Sequence, residues 1–211
     1  MSKEAATTSR VRIVEAASRL LRERGIEGTS IADVMAAAGM THGGFYKHFR
    51  SKDELVAAAL GAAFASHSDR FDGRLEHGGP LAALEAYIAE YLSPEHVSHP
   101  GMGCPAAALG PDVARGSADI AQIFTRGVED IVTRFMTAAP AGSDAARTRS
   151  AAIRRLGTMV GAVVVARAVG PGALRDEVIA ACSDAENIPA AGSRSETSAG
   201  DGRSQHKRGR A

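Results

Sequence analysis

Large apolar residues return every three or four positions along most of this chain, a spacing that predicts helices rather than strands. Ile13, Val14, Ala17, Leu20 and Leu21 form the first stripe, over residues 10–24, and Gly25 ends it. Ile31, Val34, Met35 and Ala38 form the second, over 31–38; a short third helix is expected over 41–49, with Phe45 and Phe49 on its inner face. A longer helix runs from Ser51 through Leu55, Leu60 and Phe64 to Phe71, and Leu81, Leu84, Ile88 and Tyr91 mark another, separated from it by a loop over 76–80. Prolines 94, 100 and 105 with glycines 101 and 103 make 94–105 a shaped loop, followed by a short helical piece over 105–109. Three further stripes predict helices over 119–138, 144–169 and 171–185. No stretch of strictly alternating β-branched residues stands out. The expected fold is all-α, with about nine helices.

The segment 29–55 is the most specific. Thr29 and Ser30 offer hydroxyls to the free amides of the helix that follows, and Gly39 suits the positive φ of a helix end. Thr41 begins a new helix two residues later. So short a turn forces the two helices across each other at a steep angle, the helix-turn-helix arrangement, whose second helix enters the major groove of DNA. On that helix Thr41, His42, Tyr46, Lys47 and His48 present hydrogen-bond donors, and Gly43 and Gly44 let the backbone approach. Ser51-Lys52-Asp53-Glu54 has the capping-box pattern, which brings Lys52 and free amides to a place suited to a backbone phosphate.

Residues 12–60 resemble the DNA-binding head of the tetracycline-repressor (TetR) family. Gly25, Thr29-Ser30-Ile31, Ala38-Gly39, Gly43, Tyr46, His48-Phe49 and Ser51-Lys52 carry the resemblance. Two positions depart from it: Leu21 stands where many members have phenylalanine, and Gly44 where many have threonine, serine or alanine. The second departure moves expected base readout to Thr41, His42 and Tyr46, with Thr29, His48 and Lys52 positioning phosphates. Residues 1–9 are polar and are expected to fray; the resemblance implies a DNA-binding domain over 10–55 and a regulatory and dimerisation domain over 56–186. It also implies a homodimer formed through helices at about 145–169 and 174–185, where Gly157 and Gly161 permit close approach. A tail over 187–211, rich in Gly, Ser, Ala and charge, is expected to be disordered.

Composition changes this picture little. The formal net charge is +1 and residues 1–60 hold nine Lys/Arg against seven Asp/Glu, so only a local basic surface is available for a polyanion. No apolar run approaches transmembrane length, and the two cysteines, Cys104 and Cys182, lack disulfide or zinc spacing. A cytoplasmic protein without metal or cofactor is expected.

The TetR resemblance further implies an effector pocket between residues 81 and 136, for which Tyr87, Tyr91, His99, Met102 and Phe124 are candidate lining residues. Cys104, in Gly103-Cys104-Pro105 at a loop-to-helix junction, has two readings. Free amides there would favour a reactive thiolate, and a Gly-Cys at this place resembles a subgroup that senses electrophiles or oxidants. The other reading is a small buried apolar residue. The expected function is a homodimeric transcriptional regulator, a repressor released from a palindromic operator by a small molecule or by thiol modification. The alternative is a helical small-molecule-binding protein or enzyme without a DNA-binding role. It lacks a phosphate-binding glycine loop, metal-ligand spacing or a nucleophile motif.

Overall fold

The computed structural model describes the backbone of residues 3–186 and the side chains of residues 6–183; the expectation for 187–211 lies outside the described residues. All regular structure among them is helical: α1 (Lys3–Arg24), α2 (Ile31–Ala37), a 3-10 segment (His42–Lys47), α3 (Lys52–Tyr91), α4 (Pro94–Ser98), a 3-10 turn (Pro100–Met102), α5 (Pro105–Val113), α6 (Ala118–Met136), α7 (Ala145–Val169) and α8 (Ala173–Glu186).

Several boundaries differ from the sequence pattern. α1 starts at Lys3, so residues from 3 to 9, expected to fray, are helical. Lys3, Glu4, Ala5 and Ala6 are good helix formers, and Arg10, the expected start, lies about two turns inside the helix with its guanidinium 4.7 Å from the centre of the Phe49 ring. The two helices expected either side of 76–80 join as one bent helix. The break is confined to Gly79, whose φ of 75° and ψ of 174° are non-helical, and Pro80 opens the second arm. The proline-rich 94–105 segment is also more helical than expected. Ser93 caps α4 by accepting from the His96 amide, and Pro94 occupies the first turn, where its missing N–H is harmless.

One continuous core runs from the head into the body. Ile13, Ala17, Leu20 and Leu21 of α1 meet Val34 and Met35 of α2, Phe45, Phe49, and Leu55, Val56 and Leu60 of α3. Farther along, Phe64, Phe71, Leu84, Tyr87 and Tyr91 of α3 pack with Ile131, Val132 and Phe135 of α6, and Met159 and Val163 of α7 close the other side. At the α3–α6 crossing a Cβ added to Gly127 would lie 2.2 Å from the Phe64 ring, so only a glycine permits this approach. Arg134 of α6 holds Asp72 of α3 through two hydrogen bonds of 2.9 and 2.8 Å.

The 100–102 turn lies directly on α1. A Cβ at Gly101 would be 2.4 Å from Glu23 Oε1 and 2.9 Å from Arg19 Cγ. The body therefore touches the head through α1 as well as through the continuous helix α3.

Candidate nucleic-acid interface and the buried polar centre

The turn between α2 and the 3-10 segment is fixed by backbone chemistry. Gly39 N donates to Ala36 O and Met40 N to Met35 O, the paired bonds of a Schellman ending, with Gly39 at φ 70°. Arg12 of α1 adds a 2.6 Å hydrogen bond to Ala38 O, fastening that end to the helix behind it. Ser30 starts α2 with a full capping box: its hydroxyl accepts from Asp33 N, and the Asp33 carboxylate accepts from Ser30 N.

Phe45 and Phe49 anchor the reading segment. Both are buried, their rings stacked 5.7 Å apart, and complete burial of each is worth about 1.5–3 kcal/mol. With these two held inside, Thr41, His42, Gly43, Tyr46 and Lys47 face solvent; Tyr46 is 67% exposed. His48 and Lys52 are half-buried at the edge. Ser51 caps α3 by accepting from the Glu54 amide, whereas Glu54 accepts from Arg50 N and Arg50 Nε instead of from Ser51, so the expected capping box is only half formed. Those bonds hold the Glu54 carboxyl below its usual range.

Three expectations change here. The reading element is a 3-10 helix without a side-chain cap from Thr41, in keeping with two consecutive glycines that weaken an α-helix. Thr29 is buried, and its hydroxyl donates to Gly25 O at 2.8 Å and Leu20 O at 3.3 Å, so it braces the end of α1 and has no free hydroxyl for a phosphate. A Cβ at Gly44 would face Met35 Cε at 3.5 Å, while one at Gly43 would meet nothing within 4 Å. The bare outward position is Gly43, and Gly44 points back into the head. Arg50, whose side chain is 92% exposed beside this surface, escaped the sequence reading because the pattern placed it between elements.

The residues expected around an effector divide differently. Tyr87 and Tyr91 line a cavity of about 20 Å³ with His67, Arg70, Arg74, Glu90 and His96. His99 lies outside it, exposed and beside Glu95. Met102 is 63% exposed, and Phe124 packs edge-on against Phe64, 5.5 Å away. Those three depart from the expected lining because the 94–105 segment turns His99 and Met102 outward and Phe124 meets α3 nearer the head.

Two neutral histidines organise the cavity. Arg70 Nη2 donates to His67 Nδ1 at 3.0 Å, which leaves the His67 Nε2 proton for the Tyr87 hydroxyl. Cys104 N donates to His96 Nε2 at 2.9 Å, and His96 Nδ1 donates to Tyr91 O at 2.5 Å. Burial, reinforced by nearby arginines, pushes His67 down to about 3 and His96 down to about 4. The buried Tyr91 hydroxyl has no nitrogen or oxygen partner and is set against the Cys104 thiol.

Cys104 itself is fully buried at the start of α5. Burial pushes its thiol up, outweighing the Tyr91 hydroxyl and the amides of Ala107 and Ala106 that act in the other direction, so the junction does not yield the low-pKa thiolate that the sequence motif suggested. Around it, Arg22 of α1 donates to Gly103 O at 2.8 Å, Arg70 of α3 to Met102 O at 3.3 Å, and Arg167 of α7 to Val97 O and His96 O. Head, body and α7 thus converge on one short segment. Cys182 is half-buried against α7.

Residues 13–59 match the family model described as bacterial regulatory proteins, tetR family. The head belongs to the TetR family. TtgR, a helix-turn-helix transcriptional regulator of Pseudomonas putida, is 42% identical over 66 residues, 31% of this chain and 31% of that protein. The chain thus matches about a third of the length of this curated relative. The whole fold is similar to a TetR-family regulator from Cytophaga hutchinsonii, with a TM-score of 0.71 and 18% identity over 87% of this chain and 94% of that one. The reduced form of Escherichia coli NemR gives 0.68 and 20% over 84% and 96%. All-α architecture and the TetR arrangement of helices therefore extend beyond the head. No described helix is long and apolar enough to cross a membrane.

Proposed function

We propose that this chain is a homodimeric DNA-binding transcriptional regulator, a repressor that leaves a palindromic operator when a small molecule occupies the body. The observation that carries this reading is the solvent-facing row Thr41, His42, Gly43, Tyr46 and Lys47, backed by buried Phe45 and Phe49 in a TetR-family head. Thr41, His42 and Tyr46 supply base contacts; Lys47, His48, Arg50 and Lys52 supply phosphate contacts.

One such head covers few base pairs, and a two-fold pair doubles the site. The exposed face of α7 supports pairing. Ile153, Val164, Val165 and Val169 are 49%, 38%, 44% and 43% exposed, and Gly157 and Gly161 on the same face have open space above them. Leu174 of α8 is also exposed.

Release follows from the loop on α1. Arg22 grips Gly103 O and Arg70 grips Met102 O, so a ligand that recruits Arg70 changes the support of α1 and with it the spacing of two heads. Thiol modification is the slower route, because Cys104 must first become accessible to a reagent. Cys104→Ser should keep basal DNA binding and lose any release caused by an electrophile.

A gel-shift titration against the DNA upstream of its own gene, with unrelated DNA as competitor, tests the function. A salt-sensitive complex that survives the competitor is expected. Binding no tighter than to unrelated DNA would overturn the proposal.

A further inference from the structure

Arg70 and Arg74 stand one turn apart on the first arm of α3, and both reach Glu90 on the second arm. Arg70 Nη1 lies 3.7 Å from Glu90 Oε1, and Arg74 is in direct contact with Glu90 Oε2. This trio forms the outer wall of the cavity whose inner wall is His67, Tyr87, Tyr91 and His96. The wall is thin: the Glu90 side chain is 47% exposed, so its departure would open the space to solvent.

Apart from Glu90, the cavity lacks a negative charge to set against its arginines. Tyr91, only 2% exposed and part of the lining, has a hydroxyl with no nitrogen or oxygen partner, set against the weakly accepting Cys104 thiol. Both histidines have their acceptor nitrogens engaged by Arg70 and by the Cys104 amide. Arg22 and Arg167 add positive charge from α1 and α7, and Glu90 is the one acid in the lining. The carboxylate of Glu90 already shows which planar anion the two arginines accept. Tyr87 and Tyr91, whose ring centres are 5.8 Å apart, offer an aromatic wall to whatever that anion carries.

We propose that this cavity receives a small organic carboxylate, which displaces Glu90 from Arg70 and Arg74 and accepts a hydrogen bond from Tyr91. The proposal rests on the reading of the body as the sensing part and names its ligand class. The place that the Glu90 carboxylate leaves, with space for one water-sized group behind it, accommodates the headgroup, and the rest of the ligand extends past the half-exposed Glu90 side chain. Because Arg70 Nη2 also donates to Met102 O, engagement of Arg70 loosens the loop that Arg22 holds against α1.

Calorimetric titration of the full chain with acetate, propionate, benzoate and inorganic phosphate, at fixed ionic strength, tests this. At least one carboxylate should bind saturably and raise the melting temperature, and phosphate should bind more weakly. Glu90→Gln, which removes the internal competitor while keeping the cavity, should bind that carboxylate roughly ten-fold more tightly. Arg74→Met and Tyr91→Phe should each weaken it, with circular dichroism confirming that they are folded. No binding to either wild type or Glu90→Gln, equal affinity in the two, or tighter binding of phosphate would overturn the proposal. Since the readout is independent of DNA, failure of the regulator reading appears in the gel shift and leaves these outcomes interpretable.

Discussion

In the head, polar groups of the 41–47 segment face outward over two buried phenylalanines, and their geometry follows from local rules. In the body, His67, Arg70, Tyr87, Tyr91 and His96 turn inward, His67 to Tyr87 on the returning arm of α3, Arg70 to Met102 O and His96 to the Cys104 amide. The head is therefore robust to loss of any one polar side chain and fragile to loss of its apolar anchor. The body's centre is the reverse. Its polar groups carry the burial cost, so changes in charge or protonation act there first.

The largest effect expected from this contrast is in the anchor. Phe45→Ala should cost about 3–5 kcal/mol, and hydrogen exchange should show the loss concentrated in residues 10–55 while α6 and α7 keep their protection. Uniform loss throughout would mean that the head is not a separate weak point.

Acid should find the body instead. His67 and His96 are held neutral in the folded state, down to about 3 and about 4, against an ordinary value of 6.5. Below pH 6.5 the unfolded chain binds protons that the folded chain refuses. Stability is thus complete above pH 6.5 and falls as pH drops towards 4, by on the order of 2 kcal/mol per histidine. Urea midpoints at pH 7.5 and 4.5 measure this, and His67→Asn or His96→Asn should flatten the pH dependence. A flat wild-type profile would remove the inward-turned histidines from the comparison.

Arg22→Met tests the connection between the two regions. Loss of its hydrogen bond to Gly103 O should cost about 1–2 kcal/mol of stability and should blunt any ligand-induced change in operator affinity, as read by fluorescence anisotropy with labelled DNA. Gly44→Ala is the smallest: the added methyl would face Met35 at ordinary contact distance, and the backbone there has no positive φ. Stability should shift by less than about 1 kcal/mol and DNA affinity should hardly change. A strong loss of DNA affinity would mean that Gly44, and not Gly43, faces the groove.

The head was legible because its determinants are neighbours in sequence. Ser30 and Asp33 make a cap three residues apart, Gly39 ends α2, and Phe45 and Phe49 share one face. Thr29 misled because a hydroxyl before a helix looks like a cap, yet here it serves the preceding helix end through Gly25 O and Leu20 O. The bent helix α3 was hidden by Gly78-Gly79-Pro80, which reads as a loop although only Gly79 leaves helical geometry. The buried centre left little trace. His67 and Arg70 look like solvated residues on a helix, and only the return of α3 on itself, bringing Tyr87, Glu90 and Tyr91 back alongside, encloses them. Arg22 is similarly unremarkable in sequence, and its partner Gly103 lies 81 residues away.

The central claim is that the outward row of the head reads DNA while the rest of the chain pairs two heads. Tyr46→Ala combined with Lys52→Ala tests it most directly, measured as operator affinity over a range of salt concentrations beside sedimentation of the same sample. Affinity should fall strongly, the salt slope should decrease by about one for the lost phosphate contact, and the sedimenting species should remain that of the wild type. Wild-type affinity and slope in the double variant would contradict the assignment of this surface.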